Sequence, residues 1–176
     1  MDILSGLAKF SILIVIALVS QSSAIASDAP LPRGWRLPSS SQINDDWRVK
    51  DIDKYAQIRA DFNGDGVDDE AKLLVSNSSH GWGLFVFLSR QGHSRKTFRL
   101  SASGDATLLS AMGIAKVLPG AYAFACGKGY WKCAKGEVPK IRIEQDAISF
   151  FQTEGATSFF YWDNRVKTFR RIWISD

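Results

Sequence analysis

From residue 55 onward the chain is built of short apolar or alternating runs separated by turn residues. "YAQIRAD" sets Tyr55, Gln57 and Arg59 against Ala56, Ile58 and Ala60, the period of two of a half-buried strand. "AKLLVSN" and "GWGLFVFLS" are apolar runs joined by "SSHG", which is hairpin chemistry. "KTFRLS" alternates again. "GIAKVLPGAYAFAC" holds two strand-like pieces around Pro119-Gly120, a turn pair. "KIRIEQ" and "ISFFQ" break at Asp146-Ala147, and "SFFYWD" and "TFRRIWI" break at "NRVK". "DATLLSAMG" fits a short helix or a loop. Ahead of these runs, "SSSQINDDWRV" predicts a short helix. Ser39 and Gln42 have capping-box spacing, and Ile43 and Trp47 at i, i+4 give an apolar face. Turn residues recur at strand-length spacing, and long helical periods are absent. The prediction is a mainly β chain, α+β at the margin: one antiparallel sheet or a small barrel with a short N-terminal helix. This single β-rich domain spans 39–176, after an extended, proline-rich lead-in at 27–38.

The first 26 residues follow a different pattern. Lys9 precedes the apolar run Phe10–Val19, and small residues ending in Ala24-Ile25-Ala26 follow it. A charged start, an apolar middle and an Ala-x-Ala end are the parts of a secretory signal peptide. The apolar run is short for a membrane span, which needs about 20 residues. Cleavage after Ala26 removes one Lys and one Asp, so the formal net charge stays at +4. The remaining length suffices to bury roughly 70 % of the unfolded surface. The expectation is an exported protein, periplasmic or secreted, with no stable membrane span after cleavage.

The chain contains 22 Lys and Arg, but they are dispersed without a like-charge block. That argues against nucleic acid as a partner. Cys126 and Cys133 are the only cysteines. In an oxidising compartment they should form a disulfide closing "CGKGYWKC", contributing roughly 2–3 kcal/mol in a chain-entropy account. The spacing is wider than the Cys-x-x-Cys of redox motifs, and two cysteines without nearby histidines do not make a zinc site.

The acidic residues are less evenly spread. "ADFNGDGVDDEA" packs Asp61, Asp65, Asp68, Asp69 and Glu70 into one stretch with Gly64 and Gly66. A polar turn also favours Asp, Asn and Gly, but it does not require oxygen side chains at alternate positions 61, 63 and 65 with a fourth at 69. Calcium takes roughly 6–8 oxygens at about 2.3–2.6 Å. A curled backbone turns alternate side chains inward, and glycine allows the sharp bend. Unneutralised, these carboxylates would repel one another.

An EF-hand would need a Glu where Lys72 stands, and flanking helices where strand-like "YAQIRA" and "AKLLV" lie. The stretch resembles instead the Asp-x-Asn-Gly-Asp-Gly-x-x-Asp loops of FG-GAP and VCBS-type repeat proteins. The likeness covers about sixteen residues, and the motif occurs once here, so it does not imply a propeller. It implies a Ca2+ loop between two strands, with side-chain ligands Asp61, Asn63, Asp65 and Asp69 and the carbonyl of Val67. With so incomplete a shell, affinity on the order of 10⁻⁵ to 10⁻³ M is expected. "GWGLFVFLS", "ACGKGYWKC" and "SFFYWDNRVKTFRRIWISD" also resemble segments of small exported bacterial proteins of unassigned function, a likeness that implies no activity.

No nucleophile elbow, metalloprotease helix or P-loop occurs, and His80 and His93 each sit alone in a turn sequence. No catalytic residues are assigned. Two segments could bind a partner. Lys128, Tyr130, Trp131 and Lys132 lie inside the cysteine loop, where a cross-link would prepay the ordering cost; the alternative is that both aromatics fold back onto the core. The terminal hairpin carries Phe160, Trp162, Arg165, Arg170, Arg171 and Trp173, residue types common in hot spots, or simply core rings under arginine stems. The expected function is a non-enzymatic binding module of the cell envelope, of inhibitor or immunity type, with a structural Ca2+ and a protein partner. A polysaccharide hydrolase and a purely structural calcium-binding component are the alternatives.

Overall fold

The computed structural model describes residues 30–48, 55–78, 80–90 and 94–176. The predicted leader and His93 lie outside them. The chain begins with a two-residue strand β1 (Trp35–Arg36) and a one-turn helix α1 (Ser40–Ile43). The capping box forms: the Ser39 N–H donates to the Gln42 side-chain oxygen at 3.0 Å. The helix stops at Asn44, and a separate 3₁₀ turn, Asp46–Arg48, follows. Ile43 and Trp47 therefore do not share one helical face as predicted.

The strands then follow in chain order: β2 (Gln57–Ala60), β3 (Asp69–Ser76), β4 (Trp82–Leu88), β5 (Lys96–Ser103), β6 (Met112–Val117), β7 (Gly120–Ala123), β8 (Lys140–Ile143), β9 (Ala147–Gln152), β10 (Thr157–Asp163) and β11 (Thr168–Ser175). "DATLLSAMG" contains a 3₁₀ helix, Ala106–Ala111, whose first turn is capped by the Asp105 carboxylate accepting from the Thr107 N–H. The β8–β9 break falls at Glu144–Asp146, and Ala147 opens β9.

The mainly β, antiparallel prediction holds, with more layers than one sheet. The first sheet runs β1-β3-β4-β5, with β2 also on β3; the second runs β11-β10-β9-β6; β7 and β8 form a small third. Among the described residues no sheet closes into a barrel. The lead-in is part of this architecture, because Trp35 and Arg36 pair with Ser76 and Val75 of β3.

The principal core lies between the first two sheets. Leu73, Val75, Leu84 and Val86 meet Ile114, Ile148, Phe150, Phe160 and Trp162 there. A second cluster, including Val117, Phe124, Ile143, Phe159 and Ile172, fills the space between the second sheet and β7–β8. β4 reads as an unbroken apolar run because both its faces are covered: Leu84 and Val86 enter the core, while Phe85 and Phe87 pack outside with Leu74, Leu31 and Trp35. Among the described residues no helix is long and apolar enough to cross a membrane.

Candidate functional site: an aspartate loop and a cross-linked aromatic loop

Ala60 pairs with Asp69 where β2 and β3 meet, so residues 61–68 close an antiparallel hairpin. Gly64 and Gly66 take φ of +75° and +81°, a region where a side chain is strained. Gly64 also lies so close to Gln145 that a Cβ would come within 2.8 Å of it. These bends aim successive backbone N–H groups at the root of the loop. Asp61 Oδ1 accepts from Gly64 (2.7 Å) and Asp65 (3.1 Å), and Oδ2 accepts from Gly66 (2.8 Å). Asn63 Oδ1 accepts from the Asp65 N–H, Asp65 Oδ1 from the Val67 N–H, and Asp65 Oδ2 from the Asn63 amide.

The loop has two buried anchors. Phe62 enters the main core with no exposed surface, a role the acidic pattern concealed. Asp69 is also fully buried; its two oxygens accept from the backbone N–H groups of Phe62 (3.0 Å) and Ser89 (2.8 Å). Burial raises its pKa to about 7. The two N–H donors pull it down, and the charges of Asp65 and Asp61 push it further up. Glu70 points to the opposite face, against Arg59 (2.7 Å), Lys72 (3.4 Å) and Arg95 (3.7 Å). Asp68 is exposed.

The donor set suits a hard cation. Each oxygen has two lone pairs, and after these bonds Asp61 Oδ2, Asn63 Oδ1 and both oxygens of Asp65 and Asp69 retain one. The acids are not drawn to a common point, however. Among the described residues, the one trio of Cys, His, Asp or Glu with ligand atoms mutually within 4.8 Å is Cys126, Cys133 and Glu137. Those cysteines are bonded to each other, so they offer no thiolate.

That bond is the predicted Cys126–Cys133 disulfide, with Cα atoms 4.9 Å apart. The base of its loop is fastened to β11: the Ala125 N–H donates to the Trp173 carbonyl (2.9 Å), and Lys128 Nζ to that of Ile174 (2.9 Å). Tyr130 and Trp131 do not fold onto the core; they are 53 % and 38 % exposed, and Lys132 is exposed beside them. In the terminal hairpin Phe160 and Trp162 are buried. Arg171 lies over Phe150, Phe160 and Trp173, and Arg170 pairs with Asp163 at 2.5 Å.

Sequence reasoning missed a third assembly. Trp47, Tyr55 and Phe151 come together at one end of the second sheet. The available signal was Gly113, paired with Phe151, where a Cβ would meet the Phe151 ring at 2.4 Å and Trp47 at 3.0 Å. A glycine within a strand marks such a close approach. No protein-family model matches the chain, and neither a curated protein nor a solved structure is significantly similar to it.

Proposed function

We propose that this chain is an exported, non-enzymatic binding module of the cell envelope, of inhibitor or immunity type. It would present the Cys126–Cys133 loop to a protein partner and use the Asp61–Asp69 loop as a structural calcium site. One observation carries the reading: two large aromatic side chains stand exposed on a loop that is cross-linked at its ends and bonded at its base into β11. Little ordering cost remains for such a loop when it docks. The disulfide agrees with an oxidising compartment. The calcium role rests on the oxygen lone pairs left over around Asp61, Asn63, Asp65 and Asp69, with the Val67 carbonyl as a further ligand. Binding confined to the folded state would add stability in proportion to ln(1 + [Ca2+]/Kd).

Two results test the reading. In millimolar calcium the protein should melt several degrees higher than in EDTA, and Asp65→Ala, whose exposed side chain holds no part of the core, should abolish the difference. Superimposable melting curves would reduce the loop to a self-bonded turn. Separately, the double variant Tyr130→Ala, Trp131→Ala should melt like wild type, because both rings are exposed. It should also fail to retain whatever protein the wild type captures from an envelope extract. Equal retention would remove this loop from the binding surface.

A further inference from the structure

Trp47, Tyr55 and Phe151 form a triangle of rings with centroids 5.3–5.8 Å apart. Trp47 and Tyr55 tilt by 31°, and Phe151 stands edge-on to both. The rings reach this place from the 3₁₀ turn Asp46–Arg48, the turn two residues before β2 and the end of β9. They line an open surface cleft of ≈ 470 Å³ together with Thr153, Glu154 and Asp176. That volume is in the range of small-ligand sites.

Four features distinguish this cleft from an ordinary gap beside a core. Three non-glycine residues have positive φ among the described residues, and two of them, Tyr55 (+68°) and Glu154 (+57°), line it. The turn between β9 and β10 accounts for Glu154, whereas a bulky aromatic in that region is an outlier that surrounding structure must hold in place. Here the Tyr55 carbonyl is fixed by the Ile114 N–H at 2.8 Å. Second, the Thr153 hydroxyl is buried without a hydrogen-bond partner, a state that native proteins seldom leave unfilled. Third, Glu154 and Asp176 are the charged groups among the lining residues described, and both are acidic, in a chain of net charge +4. Fourth, Arg48, a cation beside these rings among the described residues, is already committed to Trp47 and to backbone carbonyls. Its guanidinium covers one face of Trp47 and donates to the carbonyls of Ile43, Ser110 and Met112.

Aromatic faces attract cations through their quadrupoles, carboxylates attract them directly, and an unpaired hydroxyl can accept an N–H. We propose that this cleft binds an organic cation, an alkylammonium or guanidinium group. The group is either a free amine or a Lys or Arg side chain of a polypeptide. The site is separate from both the aspartate loop and the disulfide loop, so its failure would leave the proposed function standing.

The test is calorimetric titration of the purified protein at low salt. The probes are choline, its neutral isostere 3,3-dimethylbutanol, and the N-acetyl methylamides of lysine and arginine. The cations should bind saturably and roughly tenfold tighter than the neutral isostere. The double variant Glu154→Gln, Asp176→Asn changes exposed side chains, so it should keep the wild-type melting temperature and lose about tenfold in cation affinity. Tighter binding of choline than of the amino-acid derivatives assigns the site to free amines, and the reverse ranking to a polypeptide. Absence of saturable binding, equal binding of the isostere, or undiminished affinity in the double variant overturns the proposal.

Discussion

Asp69→Ala is expected to lower the unfolding free energy by about 3–5 kcal/mol in urea denaturation. The reason is where its two oxygens point. One takes the N–H of Phe62 at the start of the loop, and the other takes the N–H of Ser89 just beyond β4. Alanine leaves both donors buried and unpaired and opens a gap beside Phe62. Asp69→Asn preserves the shape and one acceptor but turns an NH₂ toward the second donor, so its stability should fall between wild type and alanine. A loss below about 1 kcal/mol for the alanine variant would mean the two N–H groups find other partners.

Asp69 also predicts a pH dependence. Its pKa is raised to about 7 in the folded protein from 3.8. Between those values the folded state holds a proton that the unfolded state has released, so stability falls as pH rises across the window. In EDTA the melting temperature should therefore drop from pH 5 to pH 7.5. Asp105 and Asp163, whose pKa values are lowered, act in the opposite sense and only near and below pH 4, so they do not mask it. Asp69→Asn should flatten the slope. Under the proposed calcium role, millimolar calcium should flatten or reverse it in wild type, because a bound cation favours the ionised carboxylate. A flat metal-free profile would contradict the burial assigned to Asp69.

The strands were legible because their signals are local. The runs in β3, β4, β10 and β11 are apolar stretches of strand length, those of β3 and β4 buried on both faces, and turn residues mark their ends. The oxygen spacing of Asp61, Asn63 and Asp65 is local too. What Asp69 does was not legible, because its partner Ser89 lies 20 residues away and nothing in "VDDEA" says which acid turns inward. β1 escaped notice since two residues in a proline-rich stretch become a strand only by pairing with β3. The division into facing sheets depends on which faces meet, and a period of two leaves that open. The aromatic cleft draws on residues from three distant segments, with Gly113 as its one trace in the sequence.

Arg48 is the second residue at which a large loss is expected, and no local pattern marked it. It is 2 % exposed. Its guanidinium donates to the carbonyls of Ile43 (3.0 Å), Ser110 (2.9 Å) and Met112, and stacks 4.1 Å from the Trp47 ring centre. The Trp47 indole N–H donates to the same Ser110 carbonyl at 3.1 Å. One side chain thus ties α1 to the 3₁₀ helix Ala106–Ala111 and to β6. Burial lowers its pKa, and Asp45 partly restores it. Arg48→Ala should cost about 3–5 kcal/mol, since it strands carbonyls that a planar fork had satisfied together. Arg48→Lys offers one ammonium in place of the fork and should recover only part of this. Arg48→Met keeps the stem and removes the cost of burying a charge, so it should lose about half as much as alanine. If alanine cost less than about 1 kcal/mol, water would be satisfying those carbonyls and the N-terminal segment would not depend on Arg48.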